Sequence, residues 1–191
     1  FEKKFNAMKP IYIVLIAIGS IILISFMGYY SVYSNAVSLQ ENVDEKWNNV
    51  QSAYQRRLDL IPGLINTVKG AAANEKEILI KVTQARAGIV DAKTPQDLEI
   101  MGRKINTAIN LAYEAYPQIK STENFQEFQK QLEGTENRIN RERDLFNEAI
   151  KSYNTHIRGL FAGIFLNKEV FPRKKGFSAK AGAENAPEVK F

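Results

Sequence analysis

The chain has 191 residues, with 26 Lys+Arg against 21 Asp+Glu, one His and no Cys. Its 45% hydrophobic and 25% charged content is that of a folded chain, long enough for one domain and an appendage. Without cysteine there is no disulfide, thiolate nucleophile or iron–sulfur ligand, and with His156 alone neither a helical zinc pair nor a two-histidine di-iron site can form. A net charge of +5, dispersed along the chain, does not point to nucleic acid.

From Pro10 to Gln40 no residue is charged, more than the ~20 residues a helix needs to cross a bilayer. The run Ile11 to Met27 is apolar on every face, which suits lipid better than a small soluble core. Tyr12 on one side and Tyr29, Tyr30 and Tyr33 on the other stand where amphipathic rings meet headgroups. A cleaved signal peptide ending at Ser34-Asn35-Ala36 is the competing reading, but the apolar core exceeds the ~7–15 residues of a signal h-region. The pattern therefore predicts a short segment 1–9, in which Met8-Lys9-Pro10 reads as a natural start and 1–7 as an upstream extension, then a transmembrane helix over 10–35. Lys3, Lys4 and Lys9 precede it and the next basic residue is Lys46, so the N-terminus is expected in the cytoplasm and the remainder outside.

Beyond Gln40 apolar residues recur at helical spacing. Val43, Trp47, Val50, Tyr54 and Leu58 draw one stripe. Pro62 crowds the preceding turn, yet Leu64, Ile65 and Val68 resume the pattern, so a kinked continuation is expected. Gly70 to Asn74 reads as a loosening before Ile78, Leu79, Val82, Ala85, Arg86 and Ile89. The loop from Asp91 ends with Thr94 as N-cap and Pro95 at the first helical position. Leu98, Met101, Ile105, Ala108, Ile109, Ala112 and Tyr116 mark the next helix, limited by Pro117. Ser121 or Thr122 caps the last, whose near-heptad stripe is Phe125, Phe128, Leu132, Ile139, Phe146, Ile150, Tyr153 and Ile157, with Thr135 and Glu142 at seam positions. The prediction is an all-α protein: an N-terminal transmembrane helix followed by an antiparallel bundle of three to four long helices over 36–158. Residues 159–191 read as an apolar, then basic, then disordered C-terminal tail.

Val43-Asp-Glu-Lys-Trp-Asn-Asn-Val50, then Arg56-Arg-Leu-Asp-Leu-Ile-Pro62, Leu64 and Thr67-Val-Lys-Gly70, resembles the LemA family. Glu114-Ala-Tyr-Pro117, Asn124-Phe125, Leu132-Glu-Gly-Thr-Glu-Asn-Arg-Ile139, Arg143, Phe146-Asn147 and Tyr153-Asn154 continue the resemblance in order over residues 36–157. It implies a bacterial membrane protein with one N-terminal helix and a helical bundle, and names no reaction. It also implies a small N-terminus outside the cell, opposite to the orientation the lysines give, which is the one kept. The chain departs from the family pattern after Tyr153-Asn154, where Ile157 to Phe171 is apolar without the usual proline-containing turn.

Arg56, Arg57 and Asp59, with Glu133 and Glu136, form a candidate polar cluster, read either as a partner or headgroup patch or as pairs across the bundle that hold the Pro62 region. Glu133, Glu136 and Glu142 with Arg138, Arg141 and Arg143 read as a solvated ion-pair ladder rather than acid–base machinery. No nucleophile–base pair and no glycine-rich phosphate loop accompany them. Leu160, Phe161, Ile164 and Phe165 form a candidate membrane-contact tail, or a segment folded back on the bundle. No catalytic residue, metal or cofactor is expected. The expected partners are the membrane and another envelope protein or a second copy of the chain, not nucleic acid. The expectation is a single-pass protein of the bacterial inner membrane with its bundle outside the cytoplasm, acting as a non-catalytic binding or scaffolding module. A lipid-interacting or membrane-remodelling protein, or a ligand-sensing accessory bundle, is the alternative.

Overall fold

The structure, a computed structural model, describes residues 10–67, 72–115 and 123–178, with side chains described for 10–63, 80–110 and 126–178. Five helices occur among them and no strand: α1 Pro10–Thr67, α2 Ala72–Asp91, α3 Pro95–Ala115, α4 Glu123–Ile157 and α5 Leu160–Phe165. Residues 1–9 with their three lysines, the side chains of Leu64, Ile65, Ile78, Leu79, Ala112 and Phe125, and Val68, Gly70, Tyr116, Pro117, Ser121, Thr122 and 179–191 lie outside the described residues. Pro62 lies inside α1 rather than ending it. The helix α2 already begins at Ala72, so the Ala72–Asn74 stretch read as loosened is helical; alanine is the best helix former and needs no packing to adopt that backbone.

The chain divides into two compact units, Phe1–Glu41 with Ser152–Arg173 and Asn42–Lys151 with Lys174–Phe191. In the second unit the predicted stripes become the core. Val43, Val50, Tyr54, Leu58 and Ile61 of α1 are buried with Val82, Ala85 and Ile89 of α2, Leu98, Ile105 and Ile109 of α3, and Phe128, Leu132, Ile139, Phe146 and Ile150 of α4. Thr135, at a seam position, is also buried, and its hydroxyl donates to the Leu132 carbonyl at 2.8 Å, so the helix itself satisfies it. The cross-contacts fix direction. Tyr54 and Arg57 of α1 meet Gly102 and Asn106 of α3 in ascending order, whereas Trp47 meets Phe146 of α4 and Arg57 meets Glu136 in descending order. Gln51 meets Ile89 and Asp59 meets Arg86 of α2, also in descending order. The helix α1 thus runs parallel to α3 and antiparallel to α2 and α4, so helices consecutive in the chain alternate in direction, as an up-and-down bundle requires.

The α2–α3 corner shows why the bundle turns where it does. Thr94 Oγ1 accepts from the Asp97 N–H at 3.2 Å while the Asp97 carboxylate accepts from the Thr94 N–H at 2.9 Å, a reciprocal cap at the start of α3. The Thr94 side chain first, then the N–H groups of Lys93 and Thr94, hold the Asp97 carboxyl below its ordinary 3.8. At the other side of the corner the Gln51 amide donates to the Ile89 and Ala92 carbonyls at 2.9 and 3.2 Å, satisfying the open end of α2 from α1.

In the first unit every residue from Pro10 to Met27 is exposed, and the Ser20 hydroxyl is returned to the Ile16 carbonyl at 2.8 Å. Among the described residues this is the one helix long and apolar enough to cross a membrane. The same unit holds the end of α4, the short α5 and a turn. His156 Nε2 lies 3.0 Å from the Val32 carbonyl and therefore donates to it. The fully buried Tyr153 donates its hydroxyl to the Pro172 carbonyl at 3.1 Å. The turn is made by Asn167, whose carbonyl accepts from Val170 and Phe171 and whose side chain accepts from Glu169. This turn leads into Phe171-Pro172. Phe171 is buried, with its ring edge-on to Tyr33 at 5.5 Å.

Candidate functional site

The polar cluster expected around Arg57 separates into two ion pairs. Arg57 of α1 pairs with Glu136 of α4 and donates to Asn106 Oδ1 of α3 at 3.0 Å, so one side chain ties three helices. Its side chain is 12% exposed against 49% for Glu136, and its Nε is buried without a hydrogen-bond partner among the described residues. Asp59 instead pairs with Arg86 of α2, with both side chains more than half exposed. Arg56 and Glu133 are exposed and join neither pair.

One turn before Arg57, the Tyr54 ring packs against Gly102 of α3, where a Cβ would sit 3.0 Å from Tyr54 Cε1. Burial pushes the Tyr54 phenol above its ordinary 10.0, with Arg143 acting in the opposite direction. Arg143 of α4 in turn donates to Glu99 Oε1 of α3 at 3.0 Å. These side chains line a cleft of about 330 Å³ with Arg103, Asn106 and Ile139. Three members of this cleft outside the expected cluster, Glu99, Asn106 and Arg143, carry a signal in their spacing. Glu99 and Asn106 are seven apart on α3, as are Glu136 and Arg143 on α4, so each pair returns to one face after two turns.

A second grouping joins α1, α4 and the segment after Pro172. Phe177, 9% exposed, stacks on Trp47 at 6.4 Å, meets Phe146 at 5.6 Å and carries the Arg143 guanidinium 4.4 Å from its ring centroid. Asn147 clamps its backbone, accepting from the Phe177 N–H at 2.8 Å and donating to the Phe177 carbonyl at 3.2 Å. A Cβ at Gly176 would collide with the same Asn147 oxygen. Lys174 pairs with Asp44 at 2.6 Å. Nothing in the local sequence pattern around Phe177 marks it as core; the spacing of Phe171 and Phe177 within a basic stretch was the available hint.

Of the four residues expected to touch membrane, Leu160, Phe161 and Ile164 are exposed at 79, 64 and 69%. Phe165 is not among them. Its ring lies edge-on to Tyr29 at 6.1 Å and 3.9 Å from where a Cβ on Gly28 would be. Among the described residues no group of three His, Asp or Glu is arranged to hold a metal ion.

A long apolar N-terminal helix that continues into a bundle tied by interhelical ion pairs defines the class: an all-α bundle protein with a candidate membrane anchor. Within that class the chain belongs to the LemA family, whose model matches residues 46–191. It is also similar to Protein LemA of Metamycoplasma hominis, 25% identical over 122 residues, which are 62% of this chain and 56% of that relative. The match therefore spans little more than half of that relative's length.

Proposed function

We propose that the protein is a single-pass anchor of the bacterial inner membrane whose bundle, outside the cytoplasm, serves as a non-catalytic binding or scaffolding module. The observation that carries this reading is the fate of the charged residues. Arg57 with Glu136, Asp59 with Arg86 and Glu99 with Arg143 are spent on one another between helices, which leaves the surface of the bundle, rather than a reactive pocket, to meet a partner. The apolar helix, exposed throughout 10–27, supports the anchor, and the lysines before it support the orientation.

The test uses photo-reactive side chains at the exposed positions Arg56 and Glu133 in the full-length protein in cells, read by mass spectrometry. Adducts to one other envelope protein are expected. Adducts only to copies of the same chain or to lipid would overturn the scaffolding role. Labelling of a cysteine at position 56 by an impermeant reagent in intact cells tests the orientation, and labelling only after lysis would reverse it.

A further inference from the structure

We propose that α5 is an interfacial foot, with Leu160, Phe161 and Ile164 seated in the headgroup–acyl boundary of the membrane that α1 crosses. The inference rests on α1 being a membrane anchor and deepens it by assigning a second membrane contact remote in sequence. At about 100° per residue, positions 160, 161 and 164 fall within an arc of roughly 100°, while Ala162 and Phe165 point away from its centre. Burial follows that geometry: Ala162 is 3% exposed and Phe165 packs on Tyr29, whereas the three residues of the arc stand open. A six-residue helix is far too short to persist alone, so its order comes from this packing on α1, and its bare face is an outcome of folding.

Depth comes from where on α1 the foot is held. Phe165 lies beside Gly28 and Tyr29, and Phe171 beside Tyr33. From Ile11 to Gly28 the helix rises about 26 Å, close to the ~30 Å of a hydrocarbon core. The foot is therefore fastened where the acyl region ends and tyrosines mark the headgroups. Phe165 thus fastens α5 next to the end of the exposed apolar run of α1, and the exposed Lys168 and Arg173 follow it, as cations suited to anionic headgroups. A bilayer surface is the occupant this placement selects.

The chain has no native cysteine, so single spin-labelled cysteines report one site each. Labels at Phe161, Ile164, Glu169 and Ile22 of the full chain, in nanodiscs of phosphatidylethanolamine and phosphatidylglycerol, are compared by collision with oxygen, which partitions into acyl chains, and with a water-soluble nickel chelate. Ile22 is expected to favour oxygen strongly, and Phe161 and Ile164 to show an oxygen-to-nickel ratio several-fold above that of Glu169. Equal ratios at Phe161, Ile164 and Glu169, with Ile22 in lipid, would overturn the foot and leave the anchor standing. A nickel-favouring Ile22 would overturn the anchor and the foot with it. Dipolar broadening at Phe161 that disappears on dilution with unlabelled protein would show a second copy covering the face, and would also overturn the proposal.

Discussion

Replacing Glu136 with Ala leaves the Arg57 guanidinium with only Asn106 as a described partner, on a side chain that is 12% exposed. Exposed pairs are worth roughly 0.2–1 kcal/mol, while removing one member of a fully buried pair costs about 3–5 kcal/mol. Glu136 is half open to solvent, which places the loss in Glu136→Ala nearer the lower range, about 1.5 kcal/mol. Arg57→Met keeps the aliphatic stem but removes both the pair and the desolvated charge with its unpartnered Nε, so it should cost less, about 1 kcal/mol. The double variant should fall short of the sum by about 1 kcal/mol of coupling. Urea unfolding of the full chain in detergent micelles reads these values, because Trp47 is the single tryptophan and packs on Phe146 and Phe177 inside the bundle. Near 1 M salt the screening length falls to about 3 Å, and the coupling should shrink. Additive single variants, with coupling below about 0.3 kcal/mol, would refute the claim that this charge holds the bundle and would leave the cleft free for another role.

Gly102→Val drives a branched side chain into the buried Tyr54 ring and should destabilise by about 2 kcal/mol; Gly88→Ala meets only the flexible Met101 side chain, gains helix propensity of up to about 1 kcal/mol, and should be neutral or stabilising in the same urea assay. Phe177→Ala removes a nearly buried ring from the Trp47–Phe146 cluster and should cost about 3 kcal/mol with a red shift of Trp47 emission. Thr94→Ala should cost about 1 kcal/mol through loss of the α3 cap. Because the Asp97 carboxyl is depressed in the folded state, its contribution is fully present above the unfolded value near 3.8 and is lost as pH falls through the folded one, so the stability gap between the native chain and Asp97→Asn should be constant at neutral pH and close in acid. Phe165→Ser should speed amide exchange across α5 in both micelles and nanodiscs, whereas Phe161→Ser should leave it slow in nanodiscs; equal disruption by both would contradict the division of the two faces.

What could be read from the chain was whatever repeats along a helix. The stripe Val43, Val50, Tyr54 and Leu58 is buried as its spacing requires, and Thr94-Pro95 starts α3 because the cap and the missing proline N–H are both local facts. What could not be read was pairing between helices. Nothing in the periodicity says that Arg57 selects Glu136 over Glu133, or that Asp59 turns to Arg86; those choices follow from the register in which four helices pack. Phe177 was illegible for a related reason. It sits in no periodic segment, and its burial depends on Asn147 presenting an amide to its backbone thirty residues away.

The two predicted clusters end in opposite conditions, and the contrast bears on function. In the bundle, charged groups are matched between helices, the largely covered Arg57 with the half-open Glu136 and Arg143 with Glu99, while the apolar stripes are covered. In α5, groups that water solvates poorly are left bare, although the same short helix buries Ala162 and seats Phe165 on Tyr29. A helix that packs one face correctly has not failed to fold, so the exposure of Leu160, Phe161 and Ile164 needs an apolar neighbour to balance it. Under the proposed interfacial foot, the bilayer that α1 crosses is that neighbour. The polar cluster is thus a tie between helices, whereas the bare face of α5 is the one that calls for a further apolar neighbour.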